Sequence, residues 1–138
     1  MNNNIKVDIE ITDEDDKMVS SDTEIPIDYD SLDIDHLSLK QFLYLIKNID
    51  ENNIEIAPRI KNLEFSDKYQ LSDSLLKQEI KSLTEVDYFD GPLPDDNPNR
   101  KHPIWIFKKY VLKVYCYIKI KIINHGRFAI IISFHEDN

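Results

Sequence analysis

The stretch Val114-Tyr115-Cys116-Tyr117-Ile118-Lys119-Ile120-Lys121-Ile122-Ile123 decides the fold. Cys116, Ile118, Ile120 and Ile122 fall on one side, and Lys113, Tyr115, Tyr117, Lys119 and Lys121 on the other. That period of two predicts a strand with one face in a core and one face outside it. Asn124-His125-Gly126-Arg127 follows as a turn, with Gly126 free to take positive φ. Phe128 to His135 is apolar almost throughout, which suits a central strand. Upstream, Ile104 to Lys109 makes a further strand, with Trp105 as a core anchor. Together the three form an antiparallel meander.

Ahead of the meander the apolar period changes to that of a helix. Ser38 caps a segment whose stripe is Leu39, Phe42, Leu43, Ile46 and Ile49, and Asp50-Glu51-Asn52-Asn53 ends it. Ile54 to Pro58 reads as a connector, and Asn62 to Tyr69 as a short helix with Leu63 inward. Ser72 or Asp73 caps a third helix carrying Leu75, Leu76, Ile80 and Leu83. Thr84-Glu85-Val86-Asp87 has capping-box spacing and starts one turn bearing Tyr88 and Phe89. Gly91 to Pro103, with four prolines, reads as a loop in which Gly91 serves a turn or a close backbone approach. Helices first and a meander after predict an α+β fold, N-terminal helices packed on one face of a small antiparallel sheet of three or more strands. The other face is left to solvent or ligand.

Charge divides the chain. Residues 1–37 hold twelve acidic residues and two lysines, whereas residues 100–135 hold eight Lys or Arg and no Asp or Glu. The net charge of −9 therefore hides a basic segment fit for a polyanion. The expected organisation is an acidic extension over 1–37, partly extended or disordered with a strand at 4–11, and a domain over 38–138. The extension is expected to contact the basic sheet and compete for it. No apolar run approaches the ~20 residues of a membrane span, and the acidic N-terminus lacks the features of a secretory signal, so a cytoplasmic location is the expectation. Cys116 is the one cysteine, which excludes an internal disulfide and a cysteine-based zinc site.

Cations meet phosphates, and single-stranded bases stack on aromatic rings, so the Tyr/Lys face suits RNA. Lysine and tyrosine are also common on solvated strand faces, and alone the pattern fits either reading. His135 near the C-terminus has the chemistry for proton transfer. His36, His102 and His125 fit no metal-ligand spacing, and there is no phosphate-binding loop, dinucleotide fingerprint or nucleophile elbow.

The order of pieces is more specific. Arg59-x-Lys61-Asn62, Leu83-Thr84-x-x-Asp87-Tyr88-Phe89, Gly91-Pro92, Asp95, Ile104-Trp105, Tyr117-Ile118-Lys119-Ile120 and Ile132-Ser133-Phe134-His135-Glu136 resemble, in that sequence, the MqsR-type toxins of bacterial toxin–antitoxin systems. The resemblance covers roughly residues 38–138. It implies a RelE-like fold, an mRNA endoribonuclease without metal or other cofactor, and an antitoxin partner. It implies attack of an RNA 2′-hydroxyl on the adjacent phosphate. The family's strand tyrosine falls on Tyr117, with Lys119 on the same face, and its C-terminal catalytic position on His135. The family's lysine after its Asp-Phe-Tyr run falls on Asp90, and its glutamine after the tryptophan on Ile106.

The reading that follows gives His135, Tyr117 and Lys119 catalytic roles. Lys108, Lys113, Tyr115, Lys121, Tyr88, Arg100 and Lys101 are the candidate RNA contacts. The competing reading is a degenerate toxin fold that serves as a protein-binding module. A small-molecule enzyme is weaker, for want of a convergent carboxylate pair or a nucleophile with its base.

Overall fold

A computed structural model describes residues 26–138; the strand expected at 4–11 lies outside them. The chain folds as α+β, with helices α1 (Leu39–Asn48), α2 (Ile60–Lys68) and α3 (Asp73–Lys81). The strands are β1 (Ile54–Ile56), β2 (Tyr88–Leu93), β3 (Ile104–Val111), β4 (Val114–Ile123) and β5 (Phe128–Glu136), in sheet order β1-β5-β4-β3-β2. The pairing is antiparallel except between β1 and β5.

Local chemistry sets the helix starts. Ser38 Oγ accepts from Gln41 N and Gln41 Oε1 accepts from Ser38 N, a reciprocal cap on α1. Ser72 Oγ accepts from Leu75 N at the start of α3, which settles the choice between Ser72 and Asp73. Asp87 accepts from Thr84 N at 2.9 Å and closes the expected turn. Phe42 of α1 is fully buried and stacks on Trp105 at 4.6 Å and on Phe107 at 5.6 Å, so α1 is anchored to β3. Burial of a side chain of that size stabilises by about 2 kcal/mol.

Four expectations are corrected. Ile54–Ile56 is an edge strand, parallel to Ala129–Ile131 of β5, rather than a connector. Tyr88–Leu93 is a strand, irregularly paired with β3, rather than a helical turn running into a loop. Gly91 makes that pairing possible: a Cβ there would lie 2.7 Å from Ile104 O and 2.9 Å from Trp105 Cα, and its φ is +117°. In α2 the inward residues are Asn62 and Phe65, while Leu63 is 54% exposed. The helix starts at Ile60, and the 3.6 period then aligns 62, 65 and 69 with the sheet.

The fourth correction concerns the acidic segment. Residues 26–37 are not an appendage, because Ile34 and Leu37 belong to the core and Leu32 packs against it. The Arg127 guanidinium sits 4.3 Å above the Tyr29 ring, and His102 Nδ1 lies 2.7 Å from Asp35 Oδ1. Gly126 (φ +90°) lies beneath Leu32, whose Cδ1 would be 2.8 Å from a Cβ at that position. The segment is thus built onto the β4–β5 turn.

Candidate functional site

β4 is the centre of the sheet, and its register assembles the outer face. Tyr117 pairs with Lys108 of β3 and with His135 of β5, and Lys119 pairs with Ile106 and Ser133. Side chains paired across strands share a face. The Tyr117 and His135 rings stack at 5.6 Å with 27° between planes.

A bulge brings His135 to this face. Ala129 and Ile131 are fully buried against the helices, and strict alternation would send residues 133 and 135 the same way. The register shifts by one between Lys119 and Ile120, where Ile132 is the extra residue of β5. Beyond it the phase is inverted: Phe134 turns to the core, and Ser133 and His135 turn outward with Lys119 and Tyr117.

The edge of β5 beyond the short β1 is closed by a side chain. Asn62 Nδ2 donates to Ala57 O at 2.9 Å and Ile132 O at 3.0 Å, and Asn62 Oδ1 accepts from Phe134 N at 2.9 Å. The amide does the work of a sixth strand at this point. Arg59 reaches round the same edge, its Nη1 donating to Ile132 O and to Ser133 Oγ, both at 3.2 Å. Farther along, Glu136 points back to the helix side, accepting from Tyr69 Oη at 2.8 Å and Lys68 Nζ at 3.3 Å. These contacts hold its carboxyl below the usual carboxylate range, the tyrosine hydroxyl more than the ammonium. They also fix the end of the strand that carries His135.

His135 Nδ1 lies 2.9 Å from Glu136 O. A carbonyl only accepts, so Nδ1 carries the proton and Nε2 is left for an external group. His135 also lines a groove of about 280 Å³ of mixed charge, with Lys61, Glu64, Phe65, Lys68, Glu136 and Asn138. A larger depression, about 730 Å³, follows the outer side of α2 past Leu63, Glu64 and Asp67. Its charged lining is acidic and it holds none of the residues of the sheet face.

The basic segment is less free than its composition suggests. Lys121 is buried, with its ammonium 2.6 Å from Asp95 Oδ2. Asp95 is held below its ordinary range chiefly by that bond and next by the Asn97 N–H. Lys108 is 3.1 Å from Asp137 and 3.9 Å above the Phe89 ring, and Lys109 is 2.9 Å from Glu79. Three of the segment's eight cations thus already have carboxylate partners, and Lys121 is withdrawn from the exposed face on which it was expected. Lys119 makes no ion pair among the described residues.

The remaining candidates scatter. Tyr115 is on the outer face, tilted against Tyr110 at 4.8 Å. Lys113 is in the exposed two-residue turn with Leu112, both at positive φ, rather than on the strand. Arg100 and Lys101 are exposed in the loop before β3. Tyr88 pairs with Phe107 and meets Trp105 edge-on, so it lies on the helix side, away from Tyr117. Asp90 pairs with Ile106, so the two positions that depart from the toxin pattern are neighbours.

Sequence reasoning missed the structural roles of Arg59, Asn62, Asp95 and Asp137. The Arg59-x-Lys61-Asn62 run stands out as a pattern, but nothing local says that it grips a strand some seventy residues away. Among the described residues no group of three or more His, Cys, Asp or Glu is placed to hold a metal ion, and no helix is long and apolar enough to cross a membrane. Comparison of the chain with protein-family models, curated proteins and solved structures gave no match.

Proposed function

We propose that the chain is an mRNA-cleaving endoribonuclease, a toxin of MqsR type with a RelE-like fold, held in check by an antitoxin in the cytoplasm. The observation that carries the reading is the cross-strand pair Tyr117–His135, with the uncompensated Lys119 in the next row. Cleavage without a metal needs a base for the 2′-hydroxyl, an acid for the leaving oxygen and a cation for the crowded phosphate. His135 has a free Nε2, Tyr117 a hydroxyl with no hydrogen bond among the described residues, and Lys119 an ammonium. One member of the pair takes the 2′ proton as the O2′–P bond forms. The other protonates the 5′ oxygen as its bond to phosphorus breaks, leaving a 2′,3′-cyclic phosphate and a 5′-hydroxyl.

Purified protein incubated with single-stranded RNA in EDTA tests this. Those two end groups should appear, and His135→Ala and Tyr117→Phe should each slow cleavage by about 10²–10⁴-fold, the range of a lost acid or base. Induced expression should arrest growth with wild type and not with either variant. Cleavage that survives in both variants would remove the pair from the mechanism.

The second reading, a protein-binding module on a degenerate toxin fold, is favoured by Asp90 and Ile106 and by the carboxylates on Lys108 and Lys121. A wild-type protein that neither cleaves RNA nor arrests growth would support it.

A further inference from the structure

Among the described residues, Lys119 is one cation with no carboxylate partner at the outer face, and Arg59 is a second. Arg59 comes from the loop before α2, so no reading of the strands alone would find it. Its Nη1 spends both protons on neutral oxygens, Ile132 O and Ser133 Oγ. A guanidinium has five N–H donors, which leaves Nη2 and Nε unspent. Ser133 is 96% buried, so its hydroxyl serves as a fixed peg for the arginine rather than as an exposed contact. Ser133 is also the cross-strand partner of Lys119. One serine therefore has the guanidinium at its hydroxyl and the lysine strand at its side. The β5 bulge and the Asn62 clamp fix that serine from both directions.

Such an arrangement has the chemistry of a phosphate site. A planar fork anchored on one edge presents its other edge to an anion with little ordering left to lose. The other cations of β3 and β4 are committed elsewhere: Lys108 to Asp137, Lys109 to Glu79 and Lys121 to Asp95. Ser133 and His135 are two residues apart on one face, about 6.7 Å along the strand. An anion held at Arg59 and Lys119 is thus a short step from Nε2 of His135.

We propose that Arg59 and Lys119 form a two-pronged phosphate subsite at the edge of β5, which holds a backbone phosphodiester of single-stranded RNA beside the Tyr117–His135 pair. The identity of the ligand as RNA rests on the nuclease reading; the subsite itself rests on the geometry alone.

Two measurements on the full chain test it. In the first, inorganic phosphate is titrated into isotope-labelled protein, and the Arg59 side-chain N–H resonances are followed by NMR. They should move saturably, together with the backbone amides of Lys119 and Ser133. In the second, a 2′-O-methyl RNA oligomer, which cannot be cleaved, is bound at several salt concentrations. Arg59→Ala should weaken binding by about tenfold or more, as for a charged hydrogen-bond donor, and should reduce the slope of log affinity against log salt by ~0.7. Arg59→Lys should keep the slope and lose part of the affinity, because the charge remains and the fork does not. Lys119→Gln should act like Arg59→Ala without touching the β5 edge, which covers the case of an Arg59→Ala protein that folds poorly. Lys40→Ala, on an exposed turn of α1, should bind as wild type. Wild-type affinity and slope in Arg59→Ala and Lys119→Gln would overturn the subsite, and so would phosphate that leaves the Arg59 resonances in place. Protein that binds phosphate and the oligomer at Arg59 but cuts no RNA would retire the nuclease and leave the subsite standing.

Discussion

Replacing Asn62 by alanine removes three hydrogen bonds, and the structure says which of them matters most. Ala57 O keeps the Arg59 N–H as a donor at 2.8 Å, and Ile132 O keeps Arg59 Nη1. Phe134 N has no such second partner among the described residues; its acceptor is Asn62 Oδ1, 2.9 Å away in the buried edge of β5. An orphaned buried N–H costs about 1–3 kcal/mol, and each bond to a carbonyl that keeps another donor adds roughly 0.5 kcal/mol. The expected loss is about 3 kcal/mol, which at ~4 °C per kcal/mol for a chain of this size lowers the melting temperature by about 12 °C.

Urea unfolding followed by circular dichroism gives the global figure, and amide exchange of Phe134 gives the local one. The Phe134 amide should become the weakest in β5, because only that one loses its acceptor. Leu63→Ala, at the next position but 54% exposed, should cost less than about 0.5 kcal/mol and serves as the control. If Asn62→Ala costs under ~1 kcal/mol, or if Phe134 stays protected, the side chain is not standing in for a strand. The same experiment bears on function, since the strand edge that Asn62 closes carries Ser133 and His135.

Two further predictions follow from ionisation. Asp95 and Glu136 both titrate below the ordinary carboxylate range in the folded chain, Asp95 through Lys121 and then Asn97, Glu136 through Tyr69 and then Lys68. A depressed folded-state value means that the unfolded chain binds more protons on acidification. The stability these groups contribute is therefore whole above about pH 4.5 and drains as pH falls through the unfolded and then the folded values. Glu136→Gln should lower stability at neutral pH and make the acid limb of the melting curve shallower; an acid limb as steep as wild type would remove Glu136 as its cause. Burial pushes the Cys116 thiol up to about 12, with the Glu136 and Glu79 charges acting in the same direction. A disulfide reagent at pH 8 should leave the folded chain unmodified and react only at the rate of unfolding; fast labelling of the native protein would contradict the buried placement.

What was legible in the sequence was what neighbours in the chain decide. Ser38 with Gln41 and Thr84 with Asp87 cap their own turns, and the alternation over residues 114–123 needs only a two-sided environment to be read correctly. The α+β class and the Tyr117–Lys119 face followed from such signals. Elements that exist through a distant partner were illegible. Ile54–Ile56 is too short to show a period and is a strand because Ala129–Ile131 pairs with it. Tyr88–Leu93 contains a glycine and a proline, which read locally as a loop, yet Gly91 is what lets the strand lie against Ile104. A boundary at residue 37 follows charge, whereas Ile34 and Leu37 are core residues. A truncation designed on charge alone would have cut into the fold.

The same distinction applies inside the site and explains why composition overstated it. A run of eight cations without an acidic residue looks like an uncompensated surface, but compensation in a folded chain comes from wherever the topology brings a carboxylate. Asp95 from the loop after β2, Asp137 from the chain end and Glu79 from α3 each reach the sheet and occupy a lysine. On the strands themselves only Lys119 keeps no ion pair among the described residues, with Arg59 reaching the face from outside the sheet, whereas Arg100, Lys101, Lys113 and Arg127 sit in loops and turns. Alternation along β5 also gave no warning about His135, because counting in twos from Ala129 and Ile131 sends it into the core. The outward His135 depends on the single extra residue at Ile132, and that bulge is held by the Asn62 and Arg59 bonds to Ile132 O. The residues that fix the proposed base therefore lie in the segment before and at the start of α2, in the short Arg59-x-Lys61-Asn62 run that carries no chemistry of its own when read alone.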